Sequence, residues 1–202
     1  NIKKVSPEDF LSKDFNFPVY THLSVKDYVS RNDKKNFDKS VFFDNPAGHS
    51  STFMDYAQVA DLYVACHYWD NRSPFIFTRK DMENPNWKIS VVADVSCDID
   101  GPVACTIRPS TITNPFYGYD PKTQKEVDFL TKKSVGVMAV DNLPCELPKD
   151  ASLEFGKMFI DHVLEPITGN DPEKIIYRAS ETINGKLTPH FEYLQDYLEG
   201  KD

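Results

Sequence analysis

Two places in the chain gather hydroxyl, thiol, carboxylate and amide groups at the ends of apolar runs. Ile89-Ser90-Val91-Val92-Ala93-Asp94-Val95 opens into Ser96-Cys97-Asp98-Ile99-Asp100-Gly101, and Val135-Gly136-Val137-Met138-Ala139-Val140 opens into Asp141-Asn142-Leu143-Pro144. The chemistry this pattern suggests is ligand binding. A short β-branched run bounded by Gly, Pro, Asn or Asp is the signature of a strand buried on both faces, as in a parallel sheet. In open α/β sheets the loops leaving neighbouring strands splay into a crevice at their carboxyl ends, and ligands bind there. Two such ends in one small domain point to one shared site.

Other chemistries fit less well. Asp98 and Asp100 stand two apart in a turn, but a calcium loop needs a longer run of oxygen ligands ending in a bidentate Glu, and zinc prefers His or Cys at short spacing. A metal site is therefore not expected, and Asx-turn chemistry around Gly101-Pro102 accounts for Asp100. Arg108 could reach a phosphate or a substrate carboxylate, although a surface ion pair is the commoner fate of an Arg. His67 and Tyr68, at the polar end of Asp61-Leu62-Tyr63-Val64-Ala65-Cys66, could line a crevice or be half-buried packing residues, with little to separate the two. His162 and His190 read as surface or packing residues.

The elements that must position these groups follow a strand, loop and helix alternation, the grammar of a mostly parallel sheet with right-handed crossovers. Ile2–Val5 and Pro18–Leu23 read as strands, with Ser6 as N-cap and Pro7 as first residue of a brief helix to about Leu11. Ser30–Lys39 reads as an exposed loop, and a helix carrying Phe53 and Ala57 on one face follows the turn at Asn45–Ser51. Thr78 caps a short helix that Asn84-Pro85-Asn86 stops. Arg108–Asp120 is too rich in proline for one regular element, and Asp120–Lys133 reads as a polar excursion. Pro144 excludes helix from the Asp141–Pro144 turn. Helices are expected from Pro148 to about Leu164, ended by Pro166 and Gly169, then from Asp171-Pro172-Glu173, and last after Asn184-Gly185 with Leu187, Phe191, Leu194 and Leu198 on one stripe.

The totals set bounds. At 202 residues the chain can bury a real core, and 40% hydrophobic with 27% charged residues is an ordinary globular composition. A net charge of −8 and no basic stripe argue against a nucleic-acid surface, which needs clustered Lys and Arg. No apolar run approaches the roughly 20 residues that span a bilayer, so no membrane partner is expected. The four cysteines, Cys66, Cys97, Cys105 and Cys145, show no Cys-x-x-Cys pairing, and reduced thiols in a cytoplasmic protein are expected.

Three segments together resemble a known family. Val92-Ala93-Asp94-Val95-Ser96-Cys97-Asp98, Thr111-Ile112-Thr113-Asn114-Pro115-Phe116, and Val140-Asp141-Asn142-Leu143-Pro144-Cys145-Glu146-Leu147-Pro148-Lys149-Asp150-Ala151-Ser152 are similar to the dinucleotide-binding half of saccharopine dehydrogenases and lysine-ketoglutarate reductases. That group is a branch of the alanine dehydrogenase/pyridine nucleotide transhydrogenase superfamily. The match is good from Asp61 to Gly156, and Asp-Asn-Leu-Pro is its most specific part.

The resemblance implies an α/β fold, a Rossmann-like mostly parallel sheet with C-terminal helices. Such a fold should open on a strand, a Gly-x-Gly-x-x-Gly turn and a helix, and nothing of that kind occurs here. The chain is accordingly expected to be the C-terminal part of a longer enzyme, lacking the first β-Gly-loop-α unit. Residues 1–147 would form a partial dinucleotide domain, and 148–202 a helical segment packing on it or on a missing N-terminal substrate domain. The cofactor would be NAD or NADP. The resemblance assigns cofactor contact to Val95, Ser96 and Asp98, to Val140, Asp141, Asn142 and Leu143 against the nicotinamide half, and to His67 just past its strand. Asp141 could instead simply cap its turn.

The implied reaction is hydride transfer between nicotinamide and the carbon of a secondary amine joining lysine to 2-oxoglutarate, with acid, base and substrate arginines outside this chain, so no catalytic residue is named. Two alternatives stay open: an alanine-dehydrogenase-like enzyme acting on a small amino acid, and a non-catalytic module that binds a nucleotide or a partner protein. Oligomerisation is undetermined. Coenzyme choice is open too. In NAD-specific folds an acid at the end of the second strand pairs with the ribose hydroxyls; here that position is Ser6, with Lys3 and Lys4 nearby and no Arg.

Overall fold

The computed structural model describes residues 2–201. They form two compact units, one running to Leu143 and the other starting at Pro144, four residues earlier than the expected boundary after 147. In chain order the first unit holds β1 (Lys3–Lys4), α1 (Pro7–Ser12), β2 (Val19–Tyr20), α2 (Val25–Tyr28), β3 (Val29–Arg31), α3 (Lys39–Asp44), β4 (His49–Ser51), α4 (Met54–Ala57), β5 (Leu62–Ala65), α5 (Arg79–Met82), β6 (Val91–Asp94), β7 (Phe116–Asp120), β8 (Lys125–Val127) and β9 (Val135–Met138).

A five-stranded sheet of order β5-β6-β9-β7-β8 carries the core. The fold is α/β and Rossmann-like, with β5, β6 and β9 parallel and β7 and β8 antiparallel at one edge. Burial follows the sequence pattern: Ile89, Val92 and Asp94 of the β6 segment are inaccessible or nearly so, as are Val135 and Val137 of β9. β5 is an edge strand, which leaves Leu62 and Val64 exposed. From Tyr63 of β5, an aromatic cluster runs through Phe53 and Phe77 to Trp87, with successive ring centroids 4.7–5.7 Å apart. These rings bury a large apolar area in edge and stacked geometries.

The local grammar held at the caps. Ser6 Oγ accepts the Asp9 N–H at 3.1 Å and opens α1 at Pro7. Thr78 caps α5, its Oγ1 accepting from Asp81 N at 3.2 Å. Several expectations need correction. The segment read as an exposed loop begins with β3, which pairs antiparallel with β4, and its last residue starts α3. The proline-rich stretch ends in strand β7, and the polar excursion contains β8, so that the two form a hairpin. Gly136 and Gly118 face each other across β9 and β7. A Cβ on Gly136 would meet the Phe129 ring at 2.5 Å, so the bare strand lets that ring lie flat and stack on Phe116.

The second unit is helical, with α6 (Pro148–His162), α7 (Leu164–Thr168), α8 (Ile175–Ala179) and α9 (Gln195–Leu198). Pro166 lies inside α7 instead of ending the preceding helix, and Gly169 supplies the stop. The Asp171 carboxylate accepts the Ile175 and Ile176 N–H groups at 2.6 and 2.9 Å and starts α8. A further correction concerns Asn184-Gly185. These residues, at φ 51° and 75°, turn a small hairpin of β10 (Thr182–Ile183) and β11 (Lys186–Leu187), as the positive φ pair of a type I′ turn requires. Leu187 is therefore in a strand, and the last helix is a 3-10 segment at Pro189–Leu194 followed by α9.

Candidate functional site

The site is built from the ends of β5, β6 and β9. β6 pairs parallel with β5, Asp94 opposite Ala65, and parallel with β9, Ala93 opposite Met138. Ala93 and Met138 are the last paired residues, so the segments toward Ser96 and Asp141 leave neighbouring strand ends. The turns leaving the two strands therefore start side by side at the carboxyl edge of the sheet, where doubly wound folds open their crevice.

Asp94 organises the first turn. It is fully buried, a carboxylate in an apolar strand, and four donors surround it. Its Oδ1 accepts from Ser96 N at 3.1 Å, Cys97 N at 3.2 Å and the Ser96 hydroxyl, while Oδ2 accepts from the buried Thr106 hydroxyl at 2.6 Å. A buried charge is tolerable only when so paired. Asp100 N–H donates to the Thr106 carbonyl at 3.0 Å, closing the loop 94–106 on itself. Inside it Cys97 and Asp100 hold φ of 57° and 52°, left-handed values that most residues avoid. Gly101 packs on Asp98 so closely that a Cβ would lie 2.6 Å from the Asp98 Cβ.

The second turn is left open. Ser110, buried behind it, donates its N–H to the Ala139 carbonyl at 2.8 Å and accepts the Ala139 N–H on its hydroxyl at 3.2 Å. Val140 is buried, so its side chain belongs to the core. Asp141 and Asn142 are exposed and, like Asp98, make no side-chain hydrogen bond or ion pair among the described residues. Leu143 starts a 3-10 turn, Leu143–Glu146, a correction to the expectation that Pro144 keeps this segment free of helix. Proline lacks the N–H but fits an early position of a single tight turn.

At the end of β5, His67 keeps Nε2 buried with no hydrogen-bond partner among the described residues. Burial holds its imidazole below the ordinary range, against the pull of Asp94 and Asp98. Tyr68 is almost wholly exposed, and Trp69 stacks on Phe75 at 5.5 Å. Burial first, then Asp94, Asp141 and Asp98, push the Cys97 thiol up. Carboxylates from both turns thus act on one point. Such an acidic edge suits ribose hydroxyl donors or a cationic ring and repels phosphate.

Two other candidates lie elsewhere. Arg108 makes a bidentate pair with Glu126, both contacts 2.7 Å, and covers the Tyr117 ring at 4.4 Å. Its guanidinium is thus tied to β8. Ser6 sits past the end of β1 in a separate two-stranded parallel sheet with β2. In the sequence Asp94 stands out only as a lone acid closing an apolar run, and nothing local marks Thr106 as its partner.

The chain as a whole is similar to known proteins. Over 180 residues the chain is 28% identical to an alpha-aminoadipic semialdehyde synthase of Arabidopsis thaliana, covering 85% of the chain and 17% of the relative. The resemblance to the saccharopine dehydrogenase branch holds. A mitochondrial alpha-aminoadipic semialdehyde synthase of Mus musculus is 25% identical over 209 residues, covering 90% of the chain and 22% of the relative. A saccharopine dehydrogenase [NAD(+), L-lysine-forming] of Schizosaccharomyces pombe is 31% identical over 105 residues, covering 52% and 27%. The chain spans only 17% to 27% of the length of these relatives. No family model matches it. Among the described residues no cluster of His, Cys, Asp or Glu could hold a metal ion, and no helix is long and apolar enough to cross a membrane.

Proposed function

We propose that this chain is the NAD(P)-binding portion of an amino-acid oxidoreductase of the saccharopine dehydrogenase/lysine-ketoglutarate reductase kind. The observation that supports the reading is the parallel pairing of β6 and β9, whose neighbouring carboxyl ends lead into the segments at Ser96 and Asp141. The names of the relatives supply the chemistry. When bound, the coenzyme would supply the hydride acceptor or donor for the carbon of a secondary amine. Val95, Ser96, Asp98, Asp141, Asn142 and Leu143 would hold its nicotinamide half, the first turn fixed by Asp94 and the second adaptable. Val140 could contribute only its backbone, and His67 would offer its unpartnered Nε2.

The fit rests on the donor set. Free carboxylate and amide groups at Asp98, Asp141 and Asn142 match ribose hydroxyls and a carboxamide, and the buried orphan Nε2 of His67 lacks a partner that a ligand could provide. Acid and base catalysis is assigned to no residue of this chain. The exposed Leu62 and Val64 on the edge strand β5 would be covered by the rest of such an enzyme.

Calorimetric titration of NADH and NADPH into the purified protein tests the reading, with saturable binding expected. Turnover of lysine plus 2-oxoglutarate is expected of the polypeptide that carries this chain; turnover of pyruvate plus ammonia alone would replace the proposal with an alanine-dehydrogenase-like one. Binding of neither coenzyme would leave only a non-catalytic module.

A further inference from the structure

We infer that the turn at Thr111–Asn114 holds the carboxylate of the amino-acid substrate, which makes Thr113 and Asn114 specificity-determining residues; this rests on the oxidoreductase reading above. Backbone pairing sets the place of the turn. Ser110 forms a parallel bridge with Val140 and donates its N–H to the Ala139 carbonyl at 2.8 Å. Gly136, whose N–H bonds to the Ser90 carbonyl beside β6, and Ala139 stand an odd number of residues apart, so they address opposite edges of the strand. Ser110 therefore runs along the side of β9 away from β6, and Thr111 and Asp141 are the next residues out. Along the carboxyl edge the order is His67 after β5, Ser96 after β6, Asp141 after β9, then Thr111. With the nicotinamide half against Asp141, the next loop along borders the reacting end of the coenzyme, where a substrate must lie.

The donors of this turn are free. Thr111, Thr113 and Asn114 are all exposed. Thr111 Oγ1 accepts the Asn114 N–H at 3.1 Å and lies 3.2 Å from Thr113 Oγ1. One hydroxyl hydrogen joins the two oxygens, which leaves the other to donate outward, and the Asn114 side-chain amide has no hydrogen-bond partner among the described residues. From Pro109 to Tyr119 no residue is charged, and Arg108 is tied to Glu126. A neutral set of hydroxyl and amide donors accepts an anion that Asp98 and Asp141 would repel, whereas those carboxylates draw a cation. An amino acid carries both charges. The two environments therefore take it one way round: ammonium toward the acidic turns, carboxylate toward Thr113 and Asn114.

The test is steady-state kinetics of the polypeptide that carries this chain, with lysine, 2-oxoglutarate and reduced coenzyme varied in turn, beside coenzyme titrations of each purified protein. Asn114→Ala and Thr113→Val are each expected to raise KM for lysine about tenfold while KM for 2-oxoglutarate and coenzyme affinity stay within about twofold. Asn114→Asp should raise it further: Asp forms turns as Asn does, so the fold of the turn is kept, but its charge repels the carboxylate. Thr113→Ser keeps the hydroxyl and should match the parent. A thermal melt of each variant matching the parent separates lost binding from lost folding. A lysine KM that none of these changes moves, a rise confined to 2-oxoglutarate, a loss of coenzyme affinity, or a coenzyme-binding polypeptide that does not turn over lysine overturns the assignment while leaving the coenzyme site standing. Absence of coenzyme binding in the parent overturns the oxidoreductase reading and this one with it.

Discussion

The turns leaving β6 and β9 start from neighbouring strand ends and are held by opposite means. The first is closed around a buried carboxylate that four donors satisfy, with two residues forced into left-handed backbone. The second presents Asp141 and Asn142 to solvent with no partner among the described residues. A binding edge needs both properties. A rigid wall fixes where a ligand sits without loss of entropy at the moment of binding, and unsatisfied groups opposite supply the contacts that make binding favourable. The difference predicts that substitutions in one turn act on stability, and in the other on affinity.

Asp94→Ala should be the most damaging change. It strands the fully buried Thr106 hydroxyl together with two backbone N–H groups and a hydroxyl on the half-buried Ser96 and Cys97, and the expected cost is about 3 kcal/mol. Thr106→Val removes one charge-assisted hydrogen bond and should cost about 2 kcal/mol. Urea denaturation with midpoints converted to free energy checks both. A loss below about 1 kcal/mol for Asp94→Ala would mean that the carboxylate does not hold the turn, and the contrast between the two turns would fail.

His67 gives a milder test, through pH. Burial lowers its folded pKa below the ordinary value near 6.5. In the window below that value the unfolded chain binds a proton that the folded chain refuses, so stability rises with pH. The contribution is complete above about pH 6.5 and declines as pH falls below it. Denaturation at pH 7.5 and pH 5.5 should show a loss in the parent that His67→Gln reduces. An equal loss in both proteins would place the titration elsewhere.

Much of the fold was legible because strand burial and capping are local. The runs at Ile89–Val95 and Val135–Val140 read as buried strands because they are short, apolar and rich in β-branched residues, and Ser6, Thr78 and Asp171 announced helix starts through their side-chain oxygens. The β7–β8 hairpin was not legible, because its strands mix Gly, Tyr, Lys and Glu and owe their pairing to β9 and to Phe129 packing across Gly136. Asn184-Gly185 did carry a hairpin signal, overridden by an apolar spacing that resembles a helical stripe. At the site, the two turns could be named from sequence, but the partner of Asp94 could not: Thr106 lies twelve residues away, and only the folded loop brings its hydroxyl to the carboxylate. Arg108 shows the reverse case, a residue with a chemical reading whose ion pair with Glu126 depends on β8 being a strand.

The smallest stability effect should come from the open turn, and it is the most informative one. Asn142→Ala and Asp141→Asn remove groups with no partner among the described residues, so each should change unfolding free energy by less than about 0.5 kcal/mol. If the turn faces a coenzyme, the same changes should weaken binding by about tenfold, equivalent to about 1.4 kcal/mol. Their effect on NADP and NAD should be equal, since the atoms concerned belong to the half of the molecule that the two coenzymes share. A stability loss of about 1 kcal/mol or more would show that Asp141 works as a cap of its own turn. An affinity loss confined to NADP would put these residues near the 2′-phosphate, which the carboxylates of Asp98 and Asp141 should repel, and the assignment of this turn to the nicotinamide half would have to be abandoned.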